Sequence, residues 1–307
     1  MERRFAAMCM PAESKRDLAV KHSFPCARYR ASFLCLTFII ICCALLCGRE
    51  PANAAPISHG TLDLIAEDSS IAPGHAITLG LHFKLEHGWH IYWVNPGDSG
   101  EPPIVTWQLP EGITAGVIEW PTPQKLGTST IVDYGYEGDV LLLVPARAAA
   151  NVATAKPAQL GAAVRFLICR EMCIPGKAQL SLTLPVRAQA ASPDGAVEPM
   201  FAAARAHLPK PSPATWKYSA RETKSDFVLD LNAGHAIAKA IFFPREESQV
   251  NNSAPQQLVS SPTGLKLTLE KADELTKSVA RLKGVLVLQS GEAYIVDVPV
   301  RPTPAGR

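Results

Sequence analysis

The chain has 307 residues and a mass of 33.0 kDa, and 47% of its residues are hydrophobic while 19% are charged. This length suits one large domain or two of about 100–150 residues each, and the composition excludes a disordered tail. The formal net charge of +2 excludes nucleic acid as an expected partner, because domains that bind nucleic acid are clearly basic. The eight cysteines are too sparse for a small disulfide-dense scaffold, so their positions carry the information.

The first 54 residues have the pattern of a secretory signal sequence with a long charged start. Arg28 and Arg30 close the charged region, and the apolar run from Phe33 to Cys47 falls short of the roughly 20 residues that span a membrane. The motif Ala-Asn-Ala at 52–54 then matches the small-x-small pattern that signal peptidase cleaves. We therefore predict a signal peptide over 1–54 and a periplasmic protein, with an uncleaved N-terminal membrane anchor as the alternative.

Cleavage after Ala54 changes both the charge and the cysteine count. The removed segment holds eight of the 30 basic residues and four of the 28 acidic ones, which leaves a formal net charge of −2. It also holds six of the eight cysteines. The exported chain therefore keeps one pair, Cys169 and Cys173, in an oxidising compartment.

Residues 55–190 are predicted to form an antiparallel β-sandwich. The segments Thr61–Ile65 and His75–Leu85 alternate apolar and other side chains with period 2, as half-buried strands do. Turns rich in Pro and Gly separate the segments, and strong helical periodicity is missing from the sequence. Further strands are predicted at Val140–Val144, Ala162–Ile168 and Ala178–Leu184.

Two aromatic segments stand out within this region. Residues 89–93 alternate so that two tryptophans and an isoleucine share one face of a strand, expected to be the core face, while His90 and Tyr92 share the other. The segment Tyr-Gly-Tyr-Glu-Gly-Asp at 134–139 is expected to be an exposed turn. Aromatic side chains in an exposed turn indicate a docking surface or a lid.

A linker with a short helix is predicted over 191–213, followed by a second, smaller β-sandwich over 214–307. The helix is expected over 197–208, where the first of three prolines spaced along 209–213 ends it. Residues 251–253 are predicted to form a loop. The strands of the second sandwich are predicted at Phe227–Leu231, Ala240–Phe243, Leu265–Leu269, Gly284–Leu288 and Ala293–Val298.

The cysteine pair is predicted to lie at the tip of a hairpin. Three residues separate Cys169 from Cys173, and the Pro-Gly at 175–176 favours a hairpin loop over a helical turn. Residues that face each other on the two strands of a hairpin have Cβ atoms about 4.5–5.5 Å apart, close enough for a disulfide after a small adjustment. Closing so short a loop contributes only roughly 2 kcal/mol by chain entropy, so a redox pair and a structural staple stay equally open. A third alternative is a Cu(I) site formed by both cysteines and Met172, since sulfur ligands suit that ion.

The ordered motifs between residues 88 and 175 resemble the N-terminal periplasmic domain of the thiol:disulfide interchange protein DsbD, most closely the branch that includes the copper-sensitivity suppressor ScsB. The resemblance is strong over 57–187 and looser through 242–244 and 284–298. The motifs are Gly-Trp-His-Ile-Tyr-Trp-Val-Asn-Pro-Gly-Asp-Ser-Gly at 88–100, Trp-Pro-Thr-Pro at 120–123, Tyr-Gly-Tyr-Glu at 134–137 and Cys-x3-Cys-Ile-Pro at 169–175.

The resemblance implies an immunoglobulin-like sandwich whose Cys169–Cys173 pair cycles between dithiol and disulfide. It implies that the pair reduces periplasmic thiol-disulfide oxidoreductases, with Cys173 as the cysteine expected to join the partner. It also implies a cap that shields the pair until a partner docks. The cap residues are Asp133, Tyr134 and Gly135, assisted by Tyr136.

Two departures from the family pattern shape the functional hypothesis. The best-known DsbD domains have a longer spacing between the cysteines, and the sequence to Arg307 holds no polytopic membrane region and no thioredoxin-like domain. We therefore expect a protein-disulfide reductase that needs a separate membrane electron donor of DsbD type, with no cofactor and no resident metal. The alternatives are a binding or assembly module with a structural disulfide and a copper-handling protein.

Overall fold

The computed structural model describes residues 54–127, 130–189 and 192–302, and most of these residues lie in β-strands. The predicted all-β fold is confirmed. The predicted signal sequence and its six cysteines lie outside the described residues, with Ala54 as the first residue that is described. Within the three described ranges, no helix combines the length and the apolar character needed to cross a membrane.

The first eleven strands form a two-layered sandwich. In chain order they are β1 (Ala55–Ile57), β2 (Gly60–Ala66), β3 (Ala76–Leu85), β4 (His90–Gly97), β5 (Ile104–Gln108), β6 (Ile113–Ala115), β7 (Gln124–Gly127), β8 (Val132–Glu137), β9 (Asp139–Ala148), β10 (Ala158–Cys169) and β11 (Cys173–Leu184). A five-stranded sheet has the order β1-β2-β3-β9-β6. A six-stranded sheet has the order β11-β10-β4-β8-β7, and β5 pairs with β10 beside that path. The strand pairings in both sheets are antiparallel.

The core of this sandwich lies between its two sheets because alternate side chains along each strand are apolar. Alternate residues from Leu79 to Phe83 on β3 and from Val164 to Ile168 on β10 are buried in the same cluster. The rings of Phe83 and Phe166 meet edge to face with centroids 5.5 Å apart. This packing fixes which face of β10 is inside, and therefore which way the cysteine at its end points.

A second sandwich follows, built from one eight-stranded sheet. Its strands are β12 (Lys210–Pro211), β13 (Lys217–Glu222), β14 (Asp226–Asn232), β15 (Ala240–Pro244), β16 (Gln257–Ser261), β17 (Gly264–Glu270), β18 (Arg281–Leu288) and β19 (Ala293–Arg301). The order is β15-β18-β19-β13-β14-β17-β16, and β12 pairs with β19. A short parallel contact between β13 and β19 joins the two halves, which enclose a second core that includes Phe227, Leu267 and Leu286. The strands predicted in this half of the chain are present.

The predicted short helix is also present, as α1 (Glu198–Ala206). The carboxylate of Glu198 in the first turn and the guanidinium of Arg205 in the last turn suit the helix dipole. Phe201 is fully buried and packs against the outer face of the five-stranded sheet at Ile65 and Leu141. The proline-rich stretch after the helix, predicted as a linker, is held to the second sandwich because β12 pairs in parallel with β19.

Strand β15 belongs to both cores. Phe242 is buried in the second core, whereas the next residue, Phe243, points the other way and joins the core of the first sandwich. There the Phe243 ring meets Tyr134 and Trp93 edge to face, with centroids 5.2 and 6.5 Å away. The two sandwiches therefore share apolar packing, and the boundaries 55–190 and 214–307 stay predictions from sequence.

Candidate functional site

The cysteine hairpin consists of β10, β11 and the three residues between them. The strands pair in unbroken register over twelve residue pairs, and the last pair is Cys169 with Cys173. The two cysteines form a disulfide of 2.10 Å with their Cα atoms 4.2 Å apart. Gly176 is required in β11 because the ring of Phe166 lies over it and leaves no room for a Cβ atom. The predicted hairpin and the pairing of the cysteines are confirmed.

The two cysteines differ in exposure. Cys169 is only 2% exposed, because the end of β10 also pairs with β4 at His90 and is covered on that side. Cys173 begins β11 and is exposed. An incoming thiolate reaches the Cys173 sulfur more readily than the Cys169 sulfur, and the bond that breaks would release Cys169.

A phenol lies beside the exposed cysteine. Residues 89–93 alternate as predicted, with Trp89, Ile91 and Trp93 in the core and His90 and Tyr92 on the opposite face. The hydroxyl oxygen of Tyr92 is 3.3 Å from Sγ of Cys173. Because a disulfide sulfur carries no proton, the hydroxyl donates this hydrogen bond. The alternation of residues 89–93 predicts the face on which Tyr92 lies but not its contact with Cys173.

The ring of Tyr92 is held by the loop that follows β4. Gly100 lies flat against the ring, with a φ of +82° and no space for a Cβ atom, so both its conformation and its size require glycine. The neighbouring Ser99 donates from its hydroxyl and from its backbone N–H to Oδ1 of Asp133, at 2.9 and 3.1 Å. The loop thereby connects Tyr92 to a buried carboxylate on β8.

The polar groups behind Tyr92 are buried and electrostatically coupled. Burial raises the pKa of Asp133, although the hydrogen bonds from Ser99 and the nearby His90 oppose the shift. Burial lowers the pKa of His90, against the opposing charges of Asp133 and Glu137, and its Nε2 lies 4.0 Å from the Asp133 carboxylate. Burial also raises the pKa of Tyr92, so the phenol keeps its proton at neutral pH and serves as a hydrogen-bond donor.

The predicted exposed turn at 134–139 is wrong. Residues up to Glu137 belong to β8, and Tyr134 and Tyr136 are 2% and 5% exposed in the core of the first sandwich. The glycines favoured a turn, yet Gly135 lies inside the strand because it packs on the backbone of β4, and only Gly138 turns the chain, at φ +70°. The alternation of two tyrosines around a glycine was the overlooked signal of a strand.

The four predicted cap residues therefore divide between the two faces of β8. Asp133 lies beside His90 and Ser99, and Gly135 pairs with Tyr92, so both belong to the face of the cysteine pair. The hydroxyls of the two tyrosines point elsewhere. Tyr134 donates to the side chain of Asn252, and Tyr136 donates to the carbonyl of Pro121 at 2.7 Å. A cap role for these residues stays a prediction, and Cys173 is exposed in this structure.

A stack of three side chains supports the base of the hairpin tip. The guanidinium carbon of Arg170 lies 5.2 Å from the centre of the Trp89 ring, and His59 stacks on Trp89 with centroids 3.7 Å apart. The Arg170 guanidinium therefore packs on an aromatic ring, which holds the residue next to Cys169 in place.

No group of three or more His, Cys, Asp or Glu side chains is placed to hold a metal ion among the residues that the structure describes. Met172, which the Cu(I) alternative requires, is 68% exposed at the hairpin tip. The copper alternative stays a prediction.

Comparison with known proteins bears on both sandwiches. The family described as thiol:disulfide interchange protein DsbD, N-terminal, matches residues 62–185. No curated protein matches the chain. The solved N-terminal periplasmic domain of ScsB from Proteus mirabilis is similar at 18% identity and a TM-score of 0.60, over 79% of this chain and 93% of that one. At this identity the likeness is one of fold, and its coverage extends beyond the first sandwich.

Two further solved structures have a TM-score of 0.21, which is too low to indicate a shared fold. They are domains 5-6 of the S-layer protein SbsC, at 11% identity over 80% of this chain and 100% of that one, and the periplasmic chaperone SfaE, at 8% identity over 78% and 100%. The match over 62–185 contains the cysteine hairpin, Tyr92 and Asp133, which confirms the resemblance stated from the sequence. Residues 62–185 are therefore similar to the DsbD N-terminal family, and their two-layered antiparallel arrangement is consistent with an immunoglobulin-like fold.

Proposed function

We propose that this protein is an exported dithiol/disulfide carrier that accepts electrons from a separate donor and reduces periplasmic client proteins through Cys169 and Cys173. One observation carries the proposal. The disulfide closes the tip of a hairpin in a DsbD N-terminal domain, and its exposed sulfur, that of Cys173, accepts a hydrogen bond from Tyr92.

Loading of the carrier begins with a thiolate of the donor. It attacks Sγ of Cys173, the Cys169–Cys173 bond breaks, and Cys169 leaves as a thiolate that takes up a proton. The second thiolate of the donor then attacks the donor sulfur of the mixed disulfide and releases Cys173. The donor is oxidised to a disulfide, and this protein has gained two electrons as a dithiol.

Delivery to the client runs the same chemistry in the other direction. The Cys173 thiolate attacks a disulfide sulfur of the client, and the first client cysteine leaves as a thiolate. Cys169 then attacks Cys173, restores the internal disulfide and releases the second client cysteine. The hydroxyl of Tyr92 supports the attack by Cys173 on the client, because it donates to the sulfur that carries the negative charge of the thiolate.

Location and partners follow from the sequence and from the relatives. The predicted signal peptide supports export, and the solved ScsB domain is described as periplasmic. The donor we propose is a membrane protein of DsbD type, and the clients are periplasmic thiol-disulfide oxidoreductases.

The reduction potential of the pair tests the proposal against a structural staple. We expect a value above about −300 mV when the protein is equilibrated with dithiothreitol or glutathione buffers, because the exposed sulfur belongs to an exchanging bond. A value below about −300 mV, together with a loss of stability on reduction, would overturn the carrier in favour of an inert disulfide.

Trapping tests the roles of the two cysteines. The probe is a purified thioredoxin-like oxidoreductase whose second active-site cysteine is replaced by serine, presented as its activated mixed disulfide. We expect Cys169→Ser, which keeps the exposed Cys173, to form a stable mixed disulfide with this probe. The matched variant Cys173→Ser keeps only the buried Cys169 of the pair and should react far more slowly. Equal trapping by both variants would contradict the assigned order, and trapping by neither would contradict the carrier.

A further inference from the structure

Asn252 of the second sandwich contacts three groups of the first. It lies in the loop between β15 and β16, where its side-chain oxygen accepts from the Tyr134 hydroxyl at 3.1 Å. Its side-chain amide donates to Oδ1 of Asp98 at 2.8 Å, and its backbone carbonyl accepts from Nζ of Lys125 at 3.1 Å. The oxygen and the nitrogen of the Asn252 side-chain amide therefore both form hydrogen bonds to the first sandwich.

The loop that carries Asn252 is held in shape by its neighbour. The side-chain oxygen of Asn251 accepts from the backbone N–H groups of Ser253 and Ala254 and from the Ser253 hydroxyl. The Asn251 amide donates to the carboxylate of Glu270 on β17 at 2.8 Å. Asn252 is thus presented by an ordered loop and loses little freedom when it binds the first sandwich.

Asp98 passes this contact on to the redox site. Its Oδ2 accepts from the backbone N–H of Val132 at 2.7 Å, and its own N–H donates to the Val132 carbonyl at 2.9 Å. The next two residues are Ser99, bonded to Asp133, and Gly100, which lies against the Tyr92 ring. A continuous series of contacts therefore runs from Asn252 through residues 98–100 to the phenol beside Cys173.

We propose that Asn252 is a positioning residue of the redox site: through it the second sandwich holds residues 98–100 against Tyr92 and keeps the phenol within reach of the Cys173 sulfur. This assignment rests on the proposed function and gives the second sandwich a part in it. Asn252 touches neither cysteine in the described contacts, so its effect passes through Tyr92.

The test compares variants of Asn252 in a Cys169→Ser background, where Cys173 is the thiol of the pair. Asn252→Ala removes the amide, and Asn252→Asp keeps its size but places a carboxylate against Asp98. The matched control is Asn232→Ala, because the side chain of this asparagine of the second sandwich bonds only the backbone N–H of Gly234 in the described contacts. The readout is the pH profile of Cys173 alkylation by iodoacetamide, and urea unfolding reports whether each variant is folded.

We expect both Asn252 variants to shift the profile to higher pH and to slow alkylation at pH 7 by about two- to fivefold, while Asn232→Ala leaves it unchanged. If the Asn252 contacts serve only stability, the variants will change the urea midpoint and leave the pH profile of Cys173 alkylation unchanged. In a Tyr92→Phe background, Asn252→Ala should slow alkylation by less than about 1.5-fold more, because both changes then act on the same contact.

The positioning role is overturned if folded Asn252→Ala and Asn252→Asp give the same pH profile of Cys173 alkylation as Asn232→Ala. It is also overturned if Asn252→Ala shifts that profile equally with and without the Tyr92 hydroxyl. Failure of the proposed function is a separate outcome, because it is measured on the unaltered protein. If its disulfide does not exchange with dithiothreitol, the carrier is wrong whatever the variants show. If it exchanges and the Asn252 variants behave as the control, only the positioning role is wrong.

Discussion

The hydroxyl of Tyr92 can be removed with little other change. Tyr92→Phe keeps the buried ring against Gly100 and deletes the donor that lies 3.3 Å from Sγ of Cys173. Hydrogen bonds to charged groups contribute about 1.5–3 kcal/mol, and one unit of pH in an ionisation midpoint corresponds to about 1.4 kcal/mol. Loss of the bond should therefore raise the midpoint of Cys173 ionisation by about 1–2 pH units.

The expected change in rate is smaller than the change in thiolate fraction. A more basic thiolate is a better nucleophile, with a Brønsted coefficient of about 0.4–0.5, which offsets nearly half of the loss. At pH 7 the alkylation of Cys173 in Cys169→Ser should therefore slow by about three- to tenfold when Tyr92→Phe is added.

The assay is iodoacetamide alkylation followed by mass spectrometry between about pH 6 and pH 10, a range that brackets ordinary thiol ionisation. Tyr218→Phe serves as the control, because Tyr218 is a hydrogen-bonded phenol of the second sandwich whose partner is Ser212. Its profile should coincide with that of the parent protein. The reasoning about Tyr92 fails if Tyr92→Phe leaves the midpoint unmoved or shifts it to lower pH.

Two further predictions concern stability. Because burial lowers the pKa of His90 from its ordinary 6.5, the folded state resists protonation there, and the free energy of unfolding should fall as the pH drops through that value. His90→Gln should flatten this dependence in urea titrations, and an unchanged slope would contradict it. Asn95→Ala removes the side-chain amide that donates to the carbonyl oxygen of Pro244 at 2.8 Å, and the side-chain oxygen that accepts from the Gly97 N–H. It should lower the free energy of unfolding by about 2–4 kcal/mol at an unchanged m-value, whereas a loss below about 1 kcal/mol would contradict the buried tie.

Much of the fold could be predicted from local patterns in the sequence. Alternation predicted strand β4 and its two faces, and the short spacing of the cysteines with Pro-Gly after them predicted the cysteine hairpin. Both signals arise from neighbours in sequence, where the period of side chains and the turn residues suffice. The difference in exposure between Cys169 and Cys173 did not follow from them, because it depends on a pairing with His90 that joins residues 79 positions apart.

The wrong prediction of an exposed turn at 134–139 comes from its glycines, which are typical of turns. Gly135 instead lies in a strand, where the absence of a side chain lets the backbone of β4 approach closely, and the tyrosines on either side of it pack into the core. A glycine in a strand and a glycine in a turn look alike in one sequence, since only the partner strand decides between them. Ser99 and Gly100, in the loop after β4, lie within the family motif at 88–100, but the sequence alone predicted no contact for either of them.

Tyr134 and Tyr136 are buried in the core of the first sandwich, and the phenol beside the cysteine pair is that of Tyr92. The family resemblance implies a cap at 133–136, yet in this chain those residues form a strand, and Cys173 stays exposed. The Cys173 sulfur accepts a hydrogen bond from Tyr92, whose ring lies against Gly100 in the loop that Asp98 ties to Asn252. A loop bonded to a second sandwich moves only when that interface loosens, whereas a free cap moves by itself. A docking partner that pulls on the second sandwich would therefore shift the Tyr92 contact, and with it the reactivity of Cys173, without touching either cysteine.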